Sequence, residues 1–259
     1  IGNYAYDIKS FLSLKTCCPD KLSLLSFSMS GYTIGNRTLV KEVFQLTAGE
    51  FILVRNNKIY KEFYYNYSPW KVKSDTKASI KKNLSDIMIT ILEDMYNSVD
   101  GRQIIVPLSA GYDSRLIASG LKEIGAKDVV CLSYGRKDSF EARASKEIAN
   151  KLGYKWLHKP VTIKSQKYFF ESETYREYLT LFDSYASVPA VQDVSEVYDI
   201  KINNLVDKSA VFVNGNSGDY ITGGHVPANI QSLSNYNIES LLSEYFNKHY
   251  SLWECLKTP

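Results

Sequence analysis

No apolar run in this 259-residue chain reaches the roughly 18 residues that a membrane-spanning helix needs, so no membrane association is expected. Cysteine is scarce: Cys17, Cys18, Cys131 and Cys255 form no C-x-x-C spacing, which argues against structural zinc, and the neighbours Cys17 and Cys18 do not suit a mutual disulfide. A reduced, cytoplasmic compartment is the simplest reading. The three histidines, His158, His225 and His249, lack ligand spacing and read as surface or packing residues. An excess of one charge is also missing. The 31 basic and 28 acidic residues leave a net charge of only +3, spread along the chain, which argues against a dedicated nucleic-acid binder. No signal peptide is visible, and Ile1 is not a natural start, so the chain is expected to be part of a longer protein.

What is present is a 44% hydrophobic composition, enough for a substantial core, and one stretch around which the rest is organised. Residues 104–108, Ile-Ile-Val-Pro-Leu, fit a strand buried on both faces. The turn Ser109-Ala110-Gly111-Tyr112-Asp113-Ser114 follows, then a helical stretch over 115–124 that stops at Gly125. A strand feeding a helix through small residues presents free backbone N–H groups at the helix N-terminus, where phosphate binds readily. Ser109 and Ser114 add hydroxyls, and Gly111 permits close backbone approach. Asp113 would repel phosphate unless it holds Mg²⁺ that bridges to phosphate oxygens. The loop lacks the Lys of G-x-x-x-x-G-K-[ST]. Taken alone, the same residues also suit an ordinary capped strand-to-helix turn.

Elsewhere the pattern alternates. Residues 51–55, Asn56-Asn57 and 58–65 predict a β-hairpin. Residues 71–77 read as a linker. Ile80, Leu84, Ile87, Met88, Ile91, Leu92 and Met95 share one helical face. Strands are predicted at 129–133, near 155–158 and at 210–214, with a helix over 139–152, a mostly helical stretch over 166–205 and an amphipathic stretch over 238–256. Alternating strands and helices imply a parallel sheet with right-handed crossovers. Ligands bind such sheets beyond the strand C-termini, where strand order reverses. The expected order puts the second and third of these strands on one side of the first and the 210–214 strand on the other. That order brings the Ser109–Ser114 loop beside Gly215-Asn216-Ser217-Gly218-Asp219. Leu132-Ser133-Tyr134-Gly135, at the end of the second strand, could offer backbone groups to an adenine edge, although it also reads as a plain strand end.

The loop Ser109-Ala110-Gly111-Tyr112-Asp113-Ser114 resembles the S-G-G-x-D-S loop of the N-type ATP pyrophosphatases, with Ala110 in place of the first glycine. Over most of its length the chain resembles the asparagine synthetase family. The resemblance adds Leu132–Gly135 followed by Glu141, Ala144, Glu147, Ala149, Leu152 and Gly153. It also adds Asn214–Tyr220 and Gly223-Gly224, where that family carries S-G-E-G-x-D-E and F-G-G. Upstream, Gly31-Tyr32, Gly35, Arg37-Thr38-Leu39 and residues 46–49 resemble the end of its glutamine-hydrolysing domain.

This resemblance implies an α/β, Rossmann-like parallel sheet with helices on both faces over residues 71–259. A remnant edge of a β-rich class II glutamine amidotransferase-like domain over 1–70 would precede it. It further implies that Leu108 and Tyr134 hold adenine through the backbone, that Ser109, Gly111, Asp113 and Ser114 bind the phosphates of ATP, that Gly215 lies against the nucleotide, and that Asp113 and Asp219 hold Mg²⁺. The implied activity is ATP-dependent amide ligation. A substrate carboxylate attacks the α-phosphorus, pyrophosphate leaves, and ammonia from glutamine displaces AMP from the acyl-adenylate.

The departures are specific. No residue here matches the family's nucleophilic cysteine, which a segment before Ile1 would have to supply, and the helices that complete the acyl-acceptor pocket are expected beyond Pro259. Asn216 stands where Glu is usual, Tyr220 where a second acid is usual, and Arg115 where a second Ser is usual. The variants are similar to divergent members from bacterial surface-polysaccharide clusters, so a sugar acid joins aspartate as a candidate substrate. A β-lactam synthetase-like ligase and a degenerate nucleotide-binding non-enzyme are the alternatives, and the oligomeric state, a homodimer included, stays open.

Overall fold

The computed structural model describes residues 8, 12, 18–68, 74–216, 218, 226, 230 and 237–252. In chain order the elements are α1 (Lys21–Ser30), β1 (Glu50–Arg55), β2 (Lys58–Phe63), α2 (Lys77–Val99), β3 (Ile104–Pro107), α3 (Tyr112–Glu123), β4 (Val129–Gly135), α4 (Phe140–Leu152), β5 (Lys155–Pro160), α5 (Ile163–Phe170), α6 (Glu173–Phe182), α7 (Val194–Ile202), β6 (Val211–Phe212) and α8 (Ile238–His249). Two compact units result: Ser74–Ser172 with Val191–Val226, and Ile1–Lys73 with Glu173–Ala190 and Pro227–Pro259.

The first of these is an α/β layer structure. Its sheet runs β5-β4-β3-β6, all parallel, the order expected from the sequence. Ile104, Ile105 and Val106 on β3 are fully buried, because a central parallel strand has both faces covered. Alternation sends Ile104 and Val106 to a core with Val99, Ala118, Leu121 and Ala149, from α2, α3 and α4. Ile105 points to the opposite core, with Val130, Leu132 and Ile200 of α7. Right-handed crossovers account for this division. The chain steps one way from β3 to β5 under α3 and α4, then returns to β6 through α7 on the other face. Gly120 lets α2 and α3 approach closely, since a Cβ there would lie 2.2 Å from Leu92 Cδ1.

Boundaries differ from the sequence reading where local chemistry is decisive. α3 begins at Tyr112, three residues before the expected start, because Gly111 adopts the extended N-cap conformation. α4 starts where Ser139 caps it and ends at Gly153 in the left-handed region, close to expectation. β6 is only two residues long. The 166–205 stretch divides into α5, α6 and α7. The apolar stripe of α2 is buried only toward its C-terminal end. Leu92 is buried, whereas Ile80, Leu84, Ile87 and Ile91 stay exposed.

The other unit is described separately. Its β1–β2 hairpin turns through Asn56 and Asn57, both at positive φ (49° and 56°), as a two-residue hairpin of matching twist requires. α1 is capped by Asp20, which accepts from Ser23 N–H at 2.9 Å and pairs with Arg37 at 2.7 Å. The backbone of 31–39 bonds to residues 185–188: Thr33 N–H reaches the Ala186 carbonyl and Leu39 N–H the Tyr185 carbonyl, each at 2.6 Å. Part of the expected 71–77 linker, and the end of the 238–256 stretch, lie outside the described residues. Among the described residues no helix is long and apolar enough to cross a membrane.

Candidate functional site

The strand order reverses between β3 and β6, so the crevice beyond their C-terminal ends is where an open parallel sheet binds ligands. Two loops meet there. Gly215, after β6, packs on the first turn of α3 so tightly that a Cβ would lie 2.7 Å from the Asp113 carbonyl carbon and 2.7 Å from the Ser114 nitrogen. Gly218 covers the Asp113 carboxylate; a Cβ there would lie 2.6 Å from Oδ1. Thus Asp113, Ser114, Gly215 and Gly218 are brought together. Asp219, Ser217, Tyr220 and Gly223-Gly224 lie outside the described residues.

The loop after β3 is internally bonded. Ser109 N–H donates to Ser114 Oγ at 3.0 Å, the two hydroxyls meet at 2.9 Å, and Gly111 N–H donates to Ser109 Oγ at 3.1 Å. The hydroxyls expected to face phosphate are therefore first of all the braces of the turn. Gly111 caps α3 without a side-chain hydrogen bond. The first-turn N–H groups of a helix have no intrahelical partner, so the helix end presents donors and a positive dipole to an anion. Asp113 lies in that first turn and has no ion-pair partner among the described residues. A cation is supplied at the rim by Arg115, whose Nε donates to the Gly111 carbonyl at 3.0 Å and whose guanidinium lies 4.4 Å from the Tyr112 ring centroid.

A second feature is the edge of β4. Leu108 N–H donates to the Leu132 carbonyl at 2.7 Å. Parallel alternation would next pair Tyr134 N–H with the Leu108 carbonyl and Ala110 N–H with the Tyr134 carbonyl. β3 ends at Pro107, however, and Ala110 N–H instead donates to Glu141 Oε2 at 2.6 Å. β4 continues to Gly135 along β5, so Ser133–Gly135 overrun β3. By the alternation of the parallel ladder the N–H and carbonyl of Tyr134 face the β3 side of β4, beyond the end of β3.

The Tyr134 side chain is fixed. Its hydroxyl donates to Asp193 Oδ1, and burial, reinforced by that carboxylate, pushes the phenol well above its ordinary pKa. Asp193 gives α7 no side-chain cap and sits in the left-handed region, at φ 67°. Gln166 Nε2 ties α5 to α7 through Ser195 Oγ at 2.9 Å and through the buried Glu196. His158 is a packing residue, as its sequence context suggested. It stacks on Trp156 and meets Ser133 Oγ at 3.0 Å, and burial lowers its pKa.

Glu141, Arg115 and Asp193 were not among the site residues read from sequence. For Glu141 a signal existed: an acid in the first turn of the helix that follows the strand beside the loop. Asp193 had none, because its contact depends on a crossover of 59 residues. Among the described residues no three His, Cys, Asp or Glu side chains gather as a metal cluster.

No family profile matches the chain, and no curated protein sequence matches it. Among solved structures it is similar to the NH3-dependent NAD synthetase of Campylobacter jejuni in complex with the nitrate ion, at 15% sequence identity and a TM-score of 0.38. The alignment covers 55% of this chain and spans 59% of that one.

Proposed function

We propose that the α/β unit binds ATP and forms the catalytic core of an AMP-forming amide ligase of the asparagine synthetase type. The observation that carries this reading is the packing of Gly215 and Gly218 onto Asp113 and Ser114 at the switch point, beside the overrunning edge of β4. In this reading the Leu108 carbonyl and the backbone of Tyr134 receive the adenine edge. The α3 N-terminus, with Ser109, Gly111 and Ser114, receives the phosphates, and Gly215 lets the nucleotide approach. Asp113 has no ion-pair partner among the described residues and stands where phosphate charge would arrive, which suits a hard cation shared between carboxylate and phosphate oxygens. Asp113 and Asp219 would hold Mg²⁺, whose contribution is to neutralise charge on the departing pyrophosphate.

The reaction is attack of a substrate carboxylate oxygen on the α-phosphorus with loss of pyrophosphate. Ammonia then adds at the acyl carbon, AMP leaves with the bonding electron pair, and an amide remains. Aspartate and a sugar acid are the candidate acids. Residues 1–70 are read as the C-terminal end of a glutamine amidotransferase-like domain that would supply the ammonia. A second reading, a nucleotide binder without ligase activity, is favoured by Asn216, an amide where the family has a carboxylate.

The decisive experiment is exchange of labelled pyrophosphate into ATP by the full-length protein, screened across carboxylic acids. Exchange that requires one acid is the expected result. Mg·ATP binding without exchange for any acid would favour the second reading, and no detectable ATP binding by calorimetry would overturn both.

A further inference from the structure

Ala110 and Glu141 are 31 residues apart, yet the Ala110 N–H is held at 2.6 Å from Glu141 Oε2. The carboxylate is well placed for this. It occupies the first turn of α4, capped by Ser139, where the helix dipole stabilises a negative charge. The N–H it holds is the one that the β3–β4 register would otherwise direct to the Tyr134 carbonyl. The last rung formed is Leu108 N–H to Leu132 C=O at 2.7 Å; Tyr134 N–H to Leu108 C=O would be the next and the Ala110 rung the one after it.

We propose that Glu141 is a positioning residue that stops the β3–β4 ladder at Leu108 and so keeps the Leu108–Tyr134 backbone edge open for a purine base. The inference rests on the ATP-binding reading above. Glu141 does not touch the base. It holds one N–H away from the edge, and with that N–H it fixes where the chain leaves β3 for the phosphate loop. Loss of the carboxylate frees Ala110 N–H to bond to the Tyr134 carbonyl, which adds a rung where the base would lie.

The test compares wild type, Glu141→Gln and Glu141→Ala in the full chain, with two readouts. The first is calorimetric affinity for adenosine, which lacks phosphate, and for Mg·ATP. The second is the crystal structure of each nucleotide-free protein, read at the Ala110 nitrogen and the Tyr134 oxygen. Glu141→Ala should lose up to about tenfold in adenosine affinity, the size of the one neutral backbone hydrogen bond that the base must then displace, and its Ala110 N–H should lie within bonding distance of Tyr134 O. Glu141→Gln keeps an acceptor and should behave as wild type in both readouts, which a loss of charge alone would not produce. Glu141 is exposed, so neither variant is expected to unfold, and equal melting temperatures check this. Unchanged adenosine affinity in Glu141→Ala overturns the positioning role while ATP binding by the wild type stands. A wild type that binds neither ligand overturns the ATP reading instead. An Ala110 N–H that stays off Tyr134 in Glu141→Ala overturns the role whatever the binding shows.

Discussion

Gly215 lies against Ser114 with no room for a methyl group: a Cβ would be 2.7 Å from the Ser114 nitrogen and equally close to the Asp113 carbonyl carbon. Both obstacles are backbone atoms of the first turn of α3 and cannot rotate away. Gly215→Ala therefore forces the two loops apart. The expected cost is about 1–3 kcal/mol of unfolding free energy, the usual range for overpacking, read from the denaturant midpoint. If the site binds ATP as proposed, Mg·ATP affinity should fall as well, because the displaced loop would carry nucleotide-facing groups.

Ser114 tests the inside of the same turn. Its hydroxyl accepts the Ser109 N–H and meets the Ser109 hydroxyl, and the side chain is buried. Ser114→Ala removes both contacts, but Ser109 is exposed and water can satisfy its N–H. A loss of about 0.5–1.5 kcal/mol in stability is expected. If the loop holds pyrophosphate, ATP affinity should fall more than AMP affinity. Equal losses would mean that Ser114 braces the turn and nothing more.

These residues show how far the sequence carries. The placement of β4 and β5 on one side of β3 and of β6 on the other agrees with what strand–helix alternation and the crossover rule lead one to expect, although sequence alone does not fix the order. The meeting of the Asp113 and Gly215 loops follows from that order. α1 was not readable as a helix: Ser23 and Ser26 are buried while Leu22, Leu24 and Leu25 are exposed, so its apolar periodicity gives no inward face. Nor was the break between α6 and α7. Tyr185 and Asp193 there take positive φ (56° and 67°), a conformation that neither residue type announces as glycine would. Tertiary hydrogen bonds, such as that of Asp193 to Tyr134, hold these positions, and a single sequence does not display them.

Cys131, on β4, is fully buried, and burial pushes its thiol up to about 11 from an ordinary value of 9.0. In the native protein it should resist iodoacetamide at pH 8, whereas exposed Cys18 should react. The folded-state pKa is raised, so the stabilising effect is complete below 9.0 and declines as the pH climbs toward about 11. Denaturant titrations across that window should show stability falling with pH. Cys131→Ala should remove that part of the slope; an unchanged slope would assign it to other groups.

The nucleotide product should be AMP rather than ADP. Enzymes that move a γ-phosphoryl group with a P-loop use its Lys to hold the β- and γ-phosphates, and no Lys follows Gly111. Instead the helix end offers backbone donors, Ser114, and a carboxylate suited to Mg²⁺, an arrangement that in the proposed reaction would stabilise pyrophosphate as a leaving group. Attack at the α-phosphorus yields pyrophosphate and an adenylate, then AMP; attack at the γ-phosphorus yields ADP. Chromatography after incubation with Mg·ATP, an amine donor and an accepted acid separates the two outcomes. ADP rising in step with amide would overturn adenylation whatever the fold. Asp113→Asn links the product to the site. It keeps the side-chain shape under Gly218 but removes the charge, so Mg·ATP affinity and AMP formation should fall together while metal-free adenosine affinity holds. If Asp113→Asn bound Mg·ATP as tightly as wild type, the metal would have to be held elsewhere, and the first turn of α3 would serve the phosphates through its N–H groups alone.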